Sequence, residues 1–197
     1  MGEQADIQYN AEVTSIDTER RLVYVGRKDY HYERMISSLP LPELIKCMAN
    51  VPDVVREACE QLECTSGYHI SVALKTKNIP SYLWWYIYDE DILSARVYSP
   101  SLKSQDNAPK GCSSLQMEVY CKENEYSEQE LIDRTVGKIA EMGLIKREDI
   151  LFTHVGFEKY ANVIFTEPIY RARKIVRDWL AEKGIKTIGR FGEWDYS

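Results

Sequence analysis

The sequence predicts an α+β fold, an antiparallel β-sheet with helices packed on one face. Three observations carry that prediction. Four successive segments in the middle of the chain alternate apolar and polar residues with period two, which marks strands with one oily face and one polar face. The segment SEQELIDRTVGKIAEMG follows them. It opens with a capping box at Ser127 and Glu130, carries Leu131, Val136 and Ile139 as a stripe and stops at Gly143, so it suits the oily face. A second amphipathic helix starts at Pro168 and ends at Gly184.

The elements read in order as follows. AEVTSIDTERRLVYVG gives two strands around a polar turn at Asp17 to Arg20. YHYERMISSLPLPELI carries a short apolar strand into a helix with Pro42 in its first turn. VPDVVREACEQLE is a short helix with Val54, Val55, Ala58 and Leu62 on one face. In the sheet, Tyr68, Ile70, Val72 and Leu74 oppose His69, Ser71, Ala73 and Lys75. Leu83, Trp85 and Ile87 oppose Tyr82, Trp84, Tyr86 and Tyr88. Leu93, Ala95 and Val97 oppose Ser94, Arg96 and Tyr98; Leu115, Met117 and Val119 oppose Gln116, Glu118 and Tyr120. SPSLKSQDNAPKG is a long polar loop between the last two of these strands, long enough to be functional or mobile. DILFTHVGF and YANVIF read as two further strands, and GIKTIGRFGEWDYS as a closing strand and a Gly-Arg-Phe-Gly turn.

Bulk properties narrow the function. The net charge of −6 argues against non-specific nucleic-acid binding and against docking on an anionic membrane. No apolar run approaches the roughly 20 residues that span a bilayer, and the first residues are polar. Five cysteines without paired spacing suggest free thiols in a reducing cytoplasm. The three histidines are scattered and form no metal signature. Fourteen tyrosines and four tryptophans against four phenylalanines is a polar-aromatic bias, common both in half-buried strands and in sites for sugars, nucleotides and flavins.

The polar face of the sheet gathers His69, Trp84, Tyr86, Arg96, Tyr98, Gln116, Glu118 and Tyr120. Such a face can stack a planar ring or a sugar, with Arg96 gripping a phosphate or carboxylate. It can equally be a solvent-facing surface of cross-strand partners. Glu118 suits an ion pair with Arg96 better than an acid–base role, and Asp89 to Asp91 suits a solvated turn better than a metal site. No catalytic residue is assigned, and no metal. There is no phosphate-binding loop and no GxGxxG, so these residues alone do not make a whole Rossmann-type enzyme.

Two segments bring a family into view. YERMISSLPLPELI resembles the stretch of FAD-dependent amine-oxidase and protoporphyrinogen-oxidase-like proteins where the chain returns to the flavin domain. GRFGEWDY resembles the turn before that superfamily's last flavin-binding stretch. WWYIYDEDILSAR is similar to an aromatic strand, acidic turn and arginine of UDP-galactopyranose mutases, which the chain resembles above all. The sequence departs from the mutase pattern at ILSA before Arg96 and at KYANVIF after the late strand.

The resemblance implies FAD as cofactor of a longer parent protein, of which this chain is a fragment that neither binds flavin nor turns over alone. It implies residues 1–39 as strands at the edge of the FAD domain, 40–184 as a substrate-binding domain, and 185–197 as the return to the FAD domain. Trp84, Tyr86, Arg96 and Tyr196 match substrate-binding positions; Gly189, Arg190, Phe191 and Gly192 match cofactor-binding positions. The implied partner is a small molecule, a nucleotide-linked sugar of cell-envelope polysaccharide (lipopolysaccharide) synthesis, transformed by an isomerase-type mutase. Two alternatives stand beside it: an FAD oxidoreductase of amine-oxidase type, and a non-catalytic glycan- or protein-binding module.

Overall fold

The computed structural model describes residues 6–196 of the chain. In chain order the strands and helices are β1 (Val13–Asp17), β2 (Leu22–Val25), β3 (Lys28–His31), β4 (Met35–Ser37), α1 (Leu41–Lys46) and α2 (Asp53–Glu60). Then come β5 (Cys64–Leu74), β6 (Trp84–Tyr86), β7 (Arg96–Tyr98), α3 (Pro100–Lys103), β8 (Ser113–Tyr120), α4 (Glu128–Ile132) and α5 (Lys138–Glu141). The last are β9 (Ile150–Val163), α6 (Ile169–Glu182), β10 (Ile185–Thr187) and α7 (Arg190–Glu193). Antiparallel strand pairing and helices together make the fold α+β.

The chain forms two compact units: Thr65–Asn162, and an outer unit of Met1–Cys64 with Val163–Ser197. Helix α6 lies against α2, so both belong to the outer unit.

The outer unit opens with an antiparallel meander, β1-β2-β3. Its first turn is tied by Asp17 Oδ1, which accepts from the backbone N–H groups of Glu19 (3.0 Å) and Arg20 (2.9 Å). Strand β3, KDYH, has no apolar alternation and follows the two strands read from AEVTSIDTERRLVYVG, within the stretch 1–39 expected to be strands. It forms because Gly26 at φ 61° turns the chain back on β2. Helix α2 buries Val55, Ala58, Cys59 and Leu62 from the segment around it, whereas Val54 is 57% exposed. The face is therefore 55/58/59/62, the helical spacing i, i+3, i+4, i+7, with Cys59 in the place assigned to Val54. It packs against α6, whose Ile169, Ala172, Val176 and Leu180 are all essentially inaccessible. Strands β4 and β10 pair in parallel, Met35 opposite Ile185 and Ser37 opposite Thr187. Gly184, at φ 76°, ends the α6 segment and passes the chain into β10.

The second unit is a five-stranded sheet of order β6-β7-β8-β5-β9. Strands β5 and β8 pair antiparallel from Gly67↔Tyr120 to Leu74↔Ser113, and β7 adds to β8 with Arg96↔Glu118. The oily face reads as expected: Ile70, Val72, Leu74, Val97, Leu115 and Met117 have no accessible surface. The helix over it begins at the Ser127–Glu130 capping box and runs from α4 through a π-helical turn, Asp133–Gly137, into α5. It delivers Leu131, Val136 and Ile139 to the same core. Each such side chain stabilises by about 1.5–3 kcal/mol on leaving water.

Two expectations change here. The late segment forms one 14-residue strand, β9, not two. Its polar residues Glu158 and Lys159 are exposed, and because β9 is the sheet edge they interrupt the pattern without interrupting the strand. The long loop before β8 is also structured. It holds α3 and a 3₁₀ turn, Gln105–Asn107, tied down by Asn107 Nδ2 donating to the Pro100 carbonyl (3.0 Å) and the Ser114 N–H donating to Ser101 Oγ (3.2 Å).

Candidate functional site

The candidate site of the second unit is the polar face of its sheet. Pairing of β6 with β7 sets Trp84 opposite Tyr98 and Tyr86 opposite Arg96. Pairing of β7 with β8, and of β8 with β5, continues the row through Arg96, Glu118 and His69. Period two puts Trp84, Tyr86, Arg96, Tyr98, Gln116, Glu118 and Tyr120 on this side because their neighbours Trp85, Val97, Met117 and Val119 turn to the core. Trp84 and Tyr86 are each 55% exposed. Tyr82 and Tyr88, on either side of β6 in the chain, are also exposed.

At the centre is an arginine flanked on two sides. Arg96 Nη2 lies 2.5 Å from Glu118 Oε1. Tyr86 stands directly opposite it on the neighbouring strand β6. Glu118 Oε2 accepts from the Tyr120 hydroxyl at 3.0 Å, so both carboxylate oxygens are engaged. The bond to Glu118 raises the Arg96 pKa above its ordinary value. Burial, with the Glu118 carboxylate adding to it, raises that of the Tyr120 phenol. Arg96 remains a full cation and Tyr120 a neutral donor across the physiological range. Arg96 keeps 39% of its side-chain surface exposed against 16% for Glu118. Only one of its nitrogens is committed to the carboxylate in this geometry, leaving N–H groups for an oxyanion.

Sequence reading found Arg96, Glu118 and their aromatic neighbours but missed the rest of the network. Asn162, near the end of β9, bears on the Tyr120 phenol, working against the rise in its pKa, and its backbone N–H donates to Thr65 Oγ1 at 3.0 Å. The spacing of Tyr120, two residues beyond Glu118 on one face, was the available signal for that pair. Nothing comparable marked Asn162, because the register of an edge strand is not written in its own pattern.

The remaining expected site residues lie in the outer unit. Gly189 (φ 79°) precedes the one-turn helix α7, which contains Arg190, Phe191 and Gly192; sequence reading had a turn there. Arg190 sits over the Tyr196 ring, 5.1 Å from its centroid, and Phe165 stacks on that ring at 5.5 Å. The structure thus brings Arg190 and Tyr196 together. The segment is anchored by Arg173 to Asp195 (2.9 Å) and Arg177 to Glu193 (3.0 Å). A Cβ on Gly189 would meet open space, and one on Gly192 would lie 3.4 Å from the Ser37 carbonyl oxygen. The helix start is open to a neighbouring group, while its far side rests on the backbone after β4.

No family model and no curated protein matches the sequence. Solved structures do match the fold. A reduced UDP-galactopyranose mutase aligns over 100% of this chain and 44% of its own, with TM-score 0.87 and 18% identity. A putrescine oxidase, solved as a double mutant in a redesign of cofactor binding, aligns over 94% of this chain and 44% of its own, with TM-score 0.69 and 13% identity. A fatty acid isomerase from P. acnes, described as CLA-producing, aligns over 96% and 46%, with TM-score 0.66 and 12% identity. The chain has the fold that these mutase, oxidase and isomerase structures share, and it spans less than half the length of each.

Proposed function

We propose that this chain is the substrate-binding portion of an FAD-dependent enzyme similar to UDP-galactopyranose mutases, acting on a nucleotide-linked sugar of cell-envelope polysaccharide. The observation that carries the reading is Arg96, a half-exposed guanidinium set among Trp84 and Tyr86 in a chain that shares the mutase fold along its whole length. Arg96 takes the charge of a diphosphate, Tyr86 adds a hydroxyl beside it, and Trp84 offers a ring face to the base or sugar. In the same reading Tyr196 is a further substrate-binding residue, and Gly189 to Gly192 form one edge of the flavin contact. The open space at Gly189 and the exposure of Arg190 fit a group approaching that backbone. FAD supplies the reacting centre when bound. The residues of this chain bind the substrate, orient it and offset its charge.

Calorimetric titration of UDP into the chain tests this. Binding is expected and should weaken about 10- to 100-fold in R96A, the worth of a charge-assisted hydrogen bond. A chain that does not bind UDP, or an R96A variant that binds as tightly as wild type, overturns the nucleotide-sugar reading. The same preparation should be colourless, since one edge of a flavin site does not hold FAD. A yellow, flavin-loaded chain of these 197 residues overturns the assignment as a portion.

A further inference from the structure

We propose that Glu118 and Tyr120 are positioning residues for Arg96: they fix the direction of its guanidinium and do not themselves touch the ligand. The inference deepens the reading of Arg96 as the anion-binding group and rests on it. It begins from the geometry of a free arginine. A long side chain on a sheet surface samples many rotamers, and ordering it on binding costs affinity. Here that cost is met before any ligand arrives. Glu118 sits directly across the strand pair from Arg96 and takes Nη2 at 2.5 Å. A carboxylate held at one oxygen could still swing. Glu118 cannot swing freely, because its second oxygen accepts from Tyr120 at 3.0 Å. The chain of contacts therefore runs along β8 from Tyr120 to Glu118 and across to Arg96 on β7.

Burial separates the roles. Glu118 is the least exposed member of the ion pair, with 16% of its side-chain surface accessible, so it faces Arg96 and Tyr120 more than solvent. Arg96 is the member that reaches solvent. The negative charge of Glu118 also tempers the cation, so orientation rather than raw charge is what Glu118 contributes.

Two measurements test this. The first is the rate at which phenylglyoxal modifies Arg96, followed by peptide mass mapping. E118Q should raise that rate roughly tenfold and Y120F about threefold, by releasing the guanidinium. Unchanged rates in both variants overturn the proposal, and a lowered melting temperature with unchanged rates assigns the pair a merely structural role. The second is a double-mutant cycle on UDP affinity. E118Q and Y120F should each weaken binding in the wild-type background and have no further effect in R96A. Effects that persist in R96A overturn the proposal. If wild type does not bind UDP, the substrate reading fails, and the modification rates still decide whether Glu118 and Tyr120 hold Arg96.

Discussion

The two units solve the same problem, covering a sheet, with different completeness. In the second unit the antiparallel sheet has one oily face, and the chain supplies the helix that covers it. Leu131, Val136 and Ile139 meet Ile70, Leu115 and Met117 in one core. In the outer unit β4 and β10 form a parallel pair, and parallel sheets are ordinarily covered on both faces. Ser37, Ile185 and Thr187 are buried on one side, while Ile36 is 68% and Ile188 44% exposed on the other. The lesson is that apolar alternation predicts a sheet face but not what covers it. Covering depends on other segments, whose helices must carry the matching stripe.

The largest expected effect lies where covering is complete. Met117→Ala removes a side chain with no accessible surface from between strands and helix. It should cost the second unit about 3 kcal/mol, read by chemical denaturation. A loss below about 1 kcal/mol would mean the core of this unit collapses around the cavity and is not close-packed. Next comes the helix that does the covering. Ser127 Oγ accepts from the Glu130 N–H, and Glu130 Oε2 accepts from the Ser127 N–H at 2.9 Å. Ser127→Ala should cost about 1 kcal/mol by the same measurement.

How much was legible follows the same division. The oily face of the second sheet, the capping box at Ser127 and both boundaries of α6 could be read because period two, period 3.6 and cap chemistry are local. So could the Arg96–Glu118 pair, two long charged side chains on one face. Strand β3 was legible only as part of a β-rich stretch, because KDYH owes its pairing to β2 and not to its own residues. The length of β9 was not legible, because exposed Glu158 and Lys159 look like a break. Asn162 lies beside β5 only through the place of β9 at the sheet edge, which its own segment does not show. The turn at Arg190 was legible as a Gly-bounded unit, but its anchoring by Arg173 and Arg177 joins α6 to the C-terminal segment over 16 to 22 residues of chain.

The open face of the outer unit gives a sharper contrast. Ile36→Lys places a charge where the side chain already faces solvent. Stability should stay within about 0.5 kcal/mol of wild type, and binding of a hydrophobic dye should fall. A loss of more than about 1 kcal/mol would show that this face is covered after all and that the two units do not differ as described.

The smallest effect concerns acid, and it separates the units by their carboxylates. In the outer unit the hydrogen bond from Arg173 holds the Asp195 carboxyl below its ordinary value. In the second unit the Ser127 backbone does the same for Glu130. A depressed carboxylate contributes stability that is present above its unfolded pKa and is lost as pH falls through its lower folded pKa. Asp195→Asn should therefore reduce stability at neutral pH, and its curve should converge on wild type in acid, where Asp195 is protonated in both states. Emission from Trp179 and Trp194, isolated by replacing Trp84 and Trp85 with Phe, reads this unit, because Trp194 is fully buried beside Asp195. Glu130→Gln should leave that signal unchanged while lowering the second unit's stability at neutral pH. A shift of Trp194 emission with Glu130→Gln would mean that the two units lose their structure together, and that the completeness of the one supports the openness of the other.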